Sequence, residues 1–495
     1  MRERWRQLAQ AWSIREVRRG ALGTVLITLG SFTPAYLPQS SPFWPLMRWA
    51  HLDNPVSKVI GTLMVLVGVS LLVSAWFRIR PLGAGRAPQA YRTLRHWAVL
   101  LIWGGPFLLA PPIFSHDAYS YAAQGWLVHN GINPYDQGPG VLPGGFADQV
   151  AWVWRFTPAP YGPLSLQLQH GLVHLTGFDP YLSALAMRIP ALVGTVLIGI
   201  FLPRLAHRYR VDPAGAAWFG TLNPVLVIDF IGGAHNDALM MGLLVFALWL
   251  TRIWRWGWLP GAVILGVAAA LKQPALLAAY ALPLVHHPWR RLQWGETLDV
   301  IARALVSMVL AIGTFAAVSI ATGLGFGWLN AVNVPGLVVT VSPFTVVGEG
   351  LRVLFEWVGW DSAAAASVRW ARTIGLLLSV IIVAVGAVTV ARRRPVSWLS
   401  YSYLAVALCA PALHSWYVLW GGLLLPLTKP GPRVIRIAVW STVVLLSYAA
   451  INLSFRNGFL ALGVAAIGLY YWQSRNHDQH IVHRFARRQR MKETP

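Results

Sequence analysis

A single cysteine, Cys409, in 495 residues excludes a disulfide framework and a Cys-based metal site, and its apolar surroundings read as a packed thiol. Charged residues fill only 12% of positions, with 17 acids in all. No polar tract of domain size interrupts the apolar stretches that recur from residue 20 to about residue 473. Walker loops, Rossmann glycine patterns and Asp-x-Asp pairs are missing, and the nearest two acids are Glu296 and Asp299. That composition excludes a soluble nucleotide-binding enzyme and leaves a diphosphate-metal site without a ligand set, so no metal or other cofactor is expected.

What remains is 56% hydrophobic, with a mean hydropathy of +0.53. The expected fold is an all-α polytopic membrane protein with about fourteen transmembrane helices, near 21–37, 57–77, 97–113, 183–203, 214–231, 236–252, 258–272, 274–288, 299–322, 369–391, 396–411, 415–428, 433–451 and 458–473. Several are shorter than a perpendicular crossing needs, and Lys272-Gln273-Pro274 must break the chain, because proline lacks a donor and disfavours helix in the residue before it. The net charge of +23 would suggest nucleic acid in a soluble protein, but the basic residues flank apolar spans, and no nucleic-acid partner is expected.

Charge also sets the expected topology. With the N-terminus inside, 31 basic and 7 acidic residues fall on the cytoplasmic side, against 9 basic and 10 acidic outside. The expectation is a multi-pass plasma-membrane protein with an uncleaved first span, both termini cytoplasmic and the active site on the outer face. One domain fills 1–473, with a large first outer loop at 114–182 and a second at 323–368, and a basic cytoplasmic tail follows at 474–495. Within the loops, helices are expected near 118–129, 164–176 and 351–358.

Polar residues gather at a few points along the expected outer boundary. Ser115-His116-Asp117-Ala118-Tyr119-Ser120-Tyr121 follows the third span, and Asp117 there fits either a general base or the cap of the next helix. His235, Asn236 and Asp237 crowd the turn between the fifth and sixth spans, where capping is again the alternative. Lys272 at its helix break and Arg188 near the start of the fourth span could hold a phosphate at headgroup depth; snorkelling is the competing role. His414 and Tyr161 lie in aromatic stretches that suit either a sugar platform or a membrane-interface belt.

Five ordered blocks carry a resemblance: His116-Asp117-Ala118-Tyr119-Ser120-Tyr121, Asn133-Pro134-Tyr135, Pro160-Tyr161-Gly162-Pro163-Leu164, Gly233-Ala234-His235-Asn236-Asp237 and Leu271-Lys272-Gln273-Pro274. Together they resemble the actinobacterial polyprenol-phosphate-mannose-dependent α-(1→6)-mannosyltransferases of the GT-C class. The resemblance implies a GT-C-like bundle with a catalytic first outer loop. It also implies inverting transfer of mannose from polyprenyl-phosphate-mannose to a lipid-anchored α-(1→6)-mannan in lipomannan and lipoarabinomannan synthesis. Asp117 matches the family's base. His116, Tyr121, Tyr161, Arg188, His235, Asn236, Asp237, Lys272 and His414 are the expected substrate-binding residues, with no metal. The rivals are a GT-C enzyme using another lipid-phosphate sugar such as arabinose, and a lipid or sugar transporter, which the break at Pro274 fits but the lack of a repeat does not.

Overall fold

The computed structural model describes residues 2–38, 40–81, 94–289, 293–330, 341–455, 460–461 and 463–468. Its principal helices are α1 (Arg15–Ser31), α2 (Pro55–Arg78), α3 (His96–Gly104), α4 (Asp117–His129), α5 (Pro163–Leu175), α6 (Pro180–Ala186), α7 (Arg188–Arg208) and α8 (Asp237–Ile253). The series continues with α9 (Trp258–Ala269), α10 (Leu277–Leu284), α11 (Trp294–Ala321), α12 (Pro343–Trp357), α13 (Asp361–Gly386), α14 (Pro395–Cys409) and α15 (Pro432–Phe455). No strand occurs among the described residues.

Local sequence explains the starts. Asn54 caps α2 by accepting from Ser57 N at 2.9 Å, and Asp179 caps α6 by accepting from Leu182 N at 2.7 Å, each with proline at the first helical position, where its missing donor costs nothing.

Among the described residues, five helices have the length and apolarity to cross a membrane: Pro55–Arg78, Pro180–Arg208, Trp294–Ala321, Asp361–Ala391 and Pro432–Phe455. The chain is therefore polytopic, but its spans are less regular than the sequence reading has them. Residues 214–231 form a pair, Pro213–Thr221 and Leu226–Gly232, bent by 55°. The bend sits at Asn223-Pro224, where Asn223 Oδ1 accepts from Val225 N at 2.9 Å and proline disfavours helix before it. The expected helix at 415–428 is instead three short pieces, Ser415–Tyr417, Val418–Gly422 and Leu425–Thr428, broken around Gly421-Gly422 and Pro426. Four further apolar helices, His96–Leu108, Trp258–Ala269, Gln273–Leu284 and Pro395–Cys409, are too short for a full perpendicular crossing. Half of the expected last span at 458–473 and the whole 474–495 tail lie outside the described residues.

The helices expected in the first loop are there as α4 and α5, and the second loop's helix begins at Pro343 rather than Leu351.

Small residues let the bundle close. A Cβ on Gly242 of α8 would lie 2.6 Å from Gly194 O on α7, so the two backbones meet only because both positions are glycine. Across the bundle, Trp76 Nε1 donates to Trp218 O at 2.8 Å and Trp218 Nε1 donates to Trp76 O at 2.7 Å, with the two rings stacked. This reciprocal pair satisfies two indole donors in the core and locks α2 to the bent segment.

Candidate active site

The site grows from the break at Lys272. Its backbone is extended between α9 and the short turn Gln273–Leu276, which frees the end of α9 to bind another segment. That segment is Pro160–Leu164: Gly162 N donates to Leu271 O at 3.0 Å, Leu164 N to Ala270 O at 2.9 Å, and Gln273 Nε2 to Pro160 O at 3.4 Å. Gly162 is required by closeness, since a Cβ there would strike the Ala270 carbonyl. Two of the sequence blocks are thus one docking surface.

Docking brings Tyr161 beside Lys272, and Tyr135 OH donates to Tyr161 O at 2.9 Å to hold it. The ammonium lies 4.8 Å from the Tyr417 ring centre, 5.4 Å from that of Trp420 and 6.0 Å from that of Tyr161. It donates to both carboxylate oxygens of Asp237, at 2.8 and 2.9 Å. Trp420 Nε1 donates to the same carboxylate at 2.6 Å. Asp237 is fully buried and Lys272 only 11% exposed, so the pair is a desolvated ion pair inside an aromatic box.

Asp117 faces this pair from the first residue of α4. No side-chain bond caps α4; Ser115 Oγ accepts from Asp117 N at 3.0 Å instead, which leaves the carboxylate free of the capping role. Burial pushes its pKa above the ordinary carboxylate value, the negative charge of Asp237 adds to that, and the Ser115 hydroxyl, Lys272 and the Tyr121 hydroxyl work against it. Tyr121, one turn along α4, meets Tyr161 edge-to-face at 5.0 Å.

Capping is excluded on the other side as well. No side-chain bond caps α8: Asn236 Nδ2 donates to Ser165 Oγ at 2.8 Å, tying the turn to α5, while Asp237 is taken by Lys272 and Trp420. Trp416 stacks on His414 with ring centres 4.5 Å apart and stands across the His235 ring. Burial drives His414 down to about 4, aided by the Lys272 charge, and drives His235 well below its ordinary value, so both imidazoles are neutral.

Eight of the ten sequence-derived residues thus meet in one region: Asp117, Tyr121, Tyr161, His235, Asn236, Asp237, Lys272 and His414. Two point elsewhere. The His116 ring is within hydrogen-bond distance of Tyr36 O, at 3.1 Å, and Arg188 donates to Ile231 O and Gly232 O at 3.1 and 3.0 Å. Sequence reasoning missed Trp420, because an expected continuous helix at 415–428 gave no reason to single out one of its aromatics. Among the described residues no group of three or more His, Cys, Asp and Glu side chains is arranged to hold a metal ion.

The family described as "Alpha-(1->6)-mannopyranosyltransferase, N-terminal domain" matches residues 17–288, and "MptB C-terminal domain" matches residues 344–474. The chain is 32% identical over 473 residues to a probable alpha-(1->6)-mannopyranosyltransferase of Mycolicibacterium smegmatis, covering 87% of this chain and 82% of that one. Alpha-(1->6)-mannopyranosyltransferase A of Mycobacterium tuberculosis is 30% identical over 444 residues, with coverage of 87% and 84%. Alpha-(1->6)-mannopyranosyltransferase B of Corynebacterium glutamicum is 26% identical over 445 residues, with coverage of 82% and 72%. No solved structure matches.

Proposed function

The chain belongs to the alpha-(1->6)-mannopyranosyltransferase family and is a glycosyltransferase, and from that premise we propose that it moves mannose from polyprenyl-phosphate-mannose to the 6-hydroxyl of an α-(1→6)-mannan, with inversion, on the outer face of the plasma membrane. The acceptor in this reading is the lipid-anchored mannan of lipomannan and lipoarabinomannan. The observation that carries it is the half-buried Asp117 carboxylate, free of capping duty, set beside a buried cation in an aromatic box.

The chemistry needs few groups. As the acceptor O6 attacks the anomeric carbon, the O6–C1 bond forms, the bond from C1 to the phosphate oxygen breaks, and the O6 proton passes to Asp117. The lipid monophosphate leaves with the electron pair. Lys272 balances the charge that develops on it, and neutral His235 and His414 lie near enough to Lys272 for its charge to act on them. Tyr161 and Tyr417, partly exposed, offer ring surface to the sugars, while buried Trp420 holds Asp237.

Purified protein given radiolabelled polyprenyl-phosphate-mannose and a short α-(1→6)-mannoside should yield a product one mannose longer, joined 1→6. A product formed only from polyprenyl-phosphate-arabinose would replace the donor, and no product with transbilayer movement of the lipid would replace the enzyme with a transporter.

Two expected outcomes test parts of this scheme. Activity should survive EDTA, because one phosphate needs less neutralisation than a diphosphate and Lys272 is already in place; loss on chelation with rescue by Mg²⁺ would show a metal in the reaction. Gly162→Ala should push Pro160–Leu164 off the end of α9 and displace Tyr161 from Lys272, costing roughly 10²-fold in kcat/KM if the displacement approaches 1 Å. An alanine variant with unaltered kcat/KM would free Tyr161 from any role.

A further inference from the structure

Among the described residues, no carboxylate balances the charge of Arg188. The side chain is 3% exposed, and its Nε and Nη2 are spent on Ile231 O and Gly232 O, but Nη1 is buried with no hydrogen-bond partner among the described residues. No carboxylate forms an ion pair with it among those residues. Two phenols in its electrostatic reach are in the same condition: among the described residues, the buried hydroxyls of Tyr119 and Tyr181 also have no hydrogen-bond partner. An uncompensated buried cation beside two orphaned hydroxyls is costly in a lone protein and becomes favourable once an anion enters.

We propose that Arg188, Tyr119 and Tyr181 form a binding site for a singly charged phosphate group, carried on a lipid headgroup or free, separate from the Asp117 and Lys272 cluster. Helix geometry separates the two. Asp117 and Tyr121 are one turn apart on one face of α4, whereas Tyr119, two residues from each, projects about 200° away from Asp117. The donors come from three elements, Tyr119 from α4, Tyr181 from α6 and Arg188 from the start of α7. Guanidinium and phenol donors suit a phosphate's oxygens, and one positive charge matches one negative charge, whereas a dianion would leave an excess buried. Tyr181 is the only member with appreciable exposure, and its ring packs edge-on against Phe43 at 5.3 Å, so entry is from that side. The Gly232 carbonyl also accepts from Ile113 N at 3.4 Å, which anchors the acceptor that aims the guanidinium.

The proposal does not depend on the transfer reaction, and its test uses none. Purified full-length protein in neutral detergent is titrated with dihexanoyl phosphatidylglycerol, with sodium phosphate, and with sodium chloride as the ionic-strength control, while the thermal unfolding midpoint is followed. A saturable rise of roughly 3–8 °C is expected when the ligand reaches 100 times its Kd. The same titration on Tyr119→Phe/Tyr181→Phe, which keeps both rings and removes only hydroxyls that have no partner among the described residues, should show the rise reduced at least twofold. Saturation by the lipid alone assigns a headgroup, and saturation by sodium phosphate as well assigns the phosphate group itself. A response that matches sodium chloride, or that is unchanged in the double variant, overturns the site and leaves those donors to water. Should the variant fail to fold, native mass spectrometry of the wild-type chain decides: one retained phosphatidylglycerol under conditions that strip a neutral diacylglycerol supports the site, and equal loss of both overturns it.

Discussion

Asp117→Asn should slow mannosyl transfer by roughly 10²–10⁴-fold, about 3–5 kcal/mol of barrier, while leaving donor binding nearly unchanged. The reasoning turns on what each atom of the carboxylate does. Asparagine keeps the shape and can accept from Tyr121, but it cannot take a proton from the acceptor hydroxyl. The loss therefore falls on the transition state alone. Because Ser115 and not Asp117 meets the first free donor of α4, no capping energy goes with the charge. Measurement of single-turnover transfer beside donor Kd separates the two effects, and near-normal turnover would move the base to Asp237 or to Asp229, which is buried within Leu226–Gly232.

The raised pKa of Asp117 gives the same substitution a second signature. A carboxyl whose folded pKa lies above its unfolded value holds more protons in the folded state over the interval between the two, so its contribution to stability falls as pH rises through that interval. Asparagine has no such dependence. Relative to the wild type, the variant should gain stability on passing from acid to neutral pH, while wild-type turnover rises over the same interval as the base ionises. A thermal-melt series at fixed ionic strength checks the sign, and a variant that loses relative stability toward neutral pH would mean that Asp117 is stabilised as the anion.

Much of this site was legible as blocks but not as contacts. Residues 116–121, 160–164, 233–237 and 271–274 stood out because ionisable or conformationally special residues interrupt apolar sequence, and in the membrane such interruptions are expensive. What sequence could not give was pairing. Asp237 and Lys272 are 35 residues apart on different elements, and only the packing of α8 against the end of α9 makes them partners. Arg188 was grouped with Lys272 by type and boundary position, yet it turns to the Ile231 and Gly232 carbonyls instead. Hydropathy found the long helices, but it overcounted continuity: at Asn223-Pro224 and around Gly421-Gly422 the average stays apolar while the backbone breaks. Periodicity reports composition along a line, and Trp420 became visible only when its line bent towards Asp237.

The ion pair itself carries the other large expected effect. Lys272→Met removes the cation that neutralises Asp237, leaving a fully buried carboxylate with the Trp420 indole as its one side-chain donor among the described residues, so the variant should be destabilised by about 3–5 kcal/mol as well as inactive. Asp237→Asn alone strands the lysine instead and should cost a similar amount. The double variant Lys272→Met/Asp237→Asn removes both charges of the pair, keeps an oxygen for Trp420, and should be more stable than either single variant, a non-additivity that the double-mutant cycle reads directly. Activity must then part company with stability. If Lys272 balances the departing lipid phosphate, the double variant folds well and still transfers mannose poorly, with the deficit in kcat/KM for the lipid donor. Recovery of transfer together with stability would reduce the pair to a structural tie. A Lys272→Met protein as stable as the wild type would show instead that the Asp237 carboxylate does not need its lysine, and that the phosphate has a free cation waiting for it.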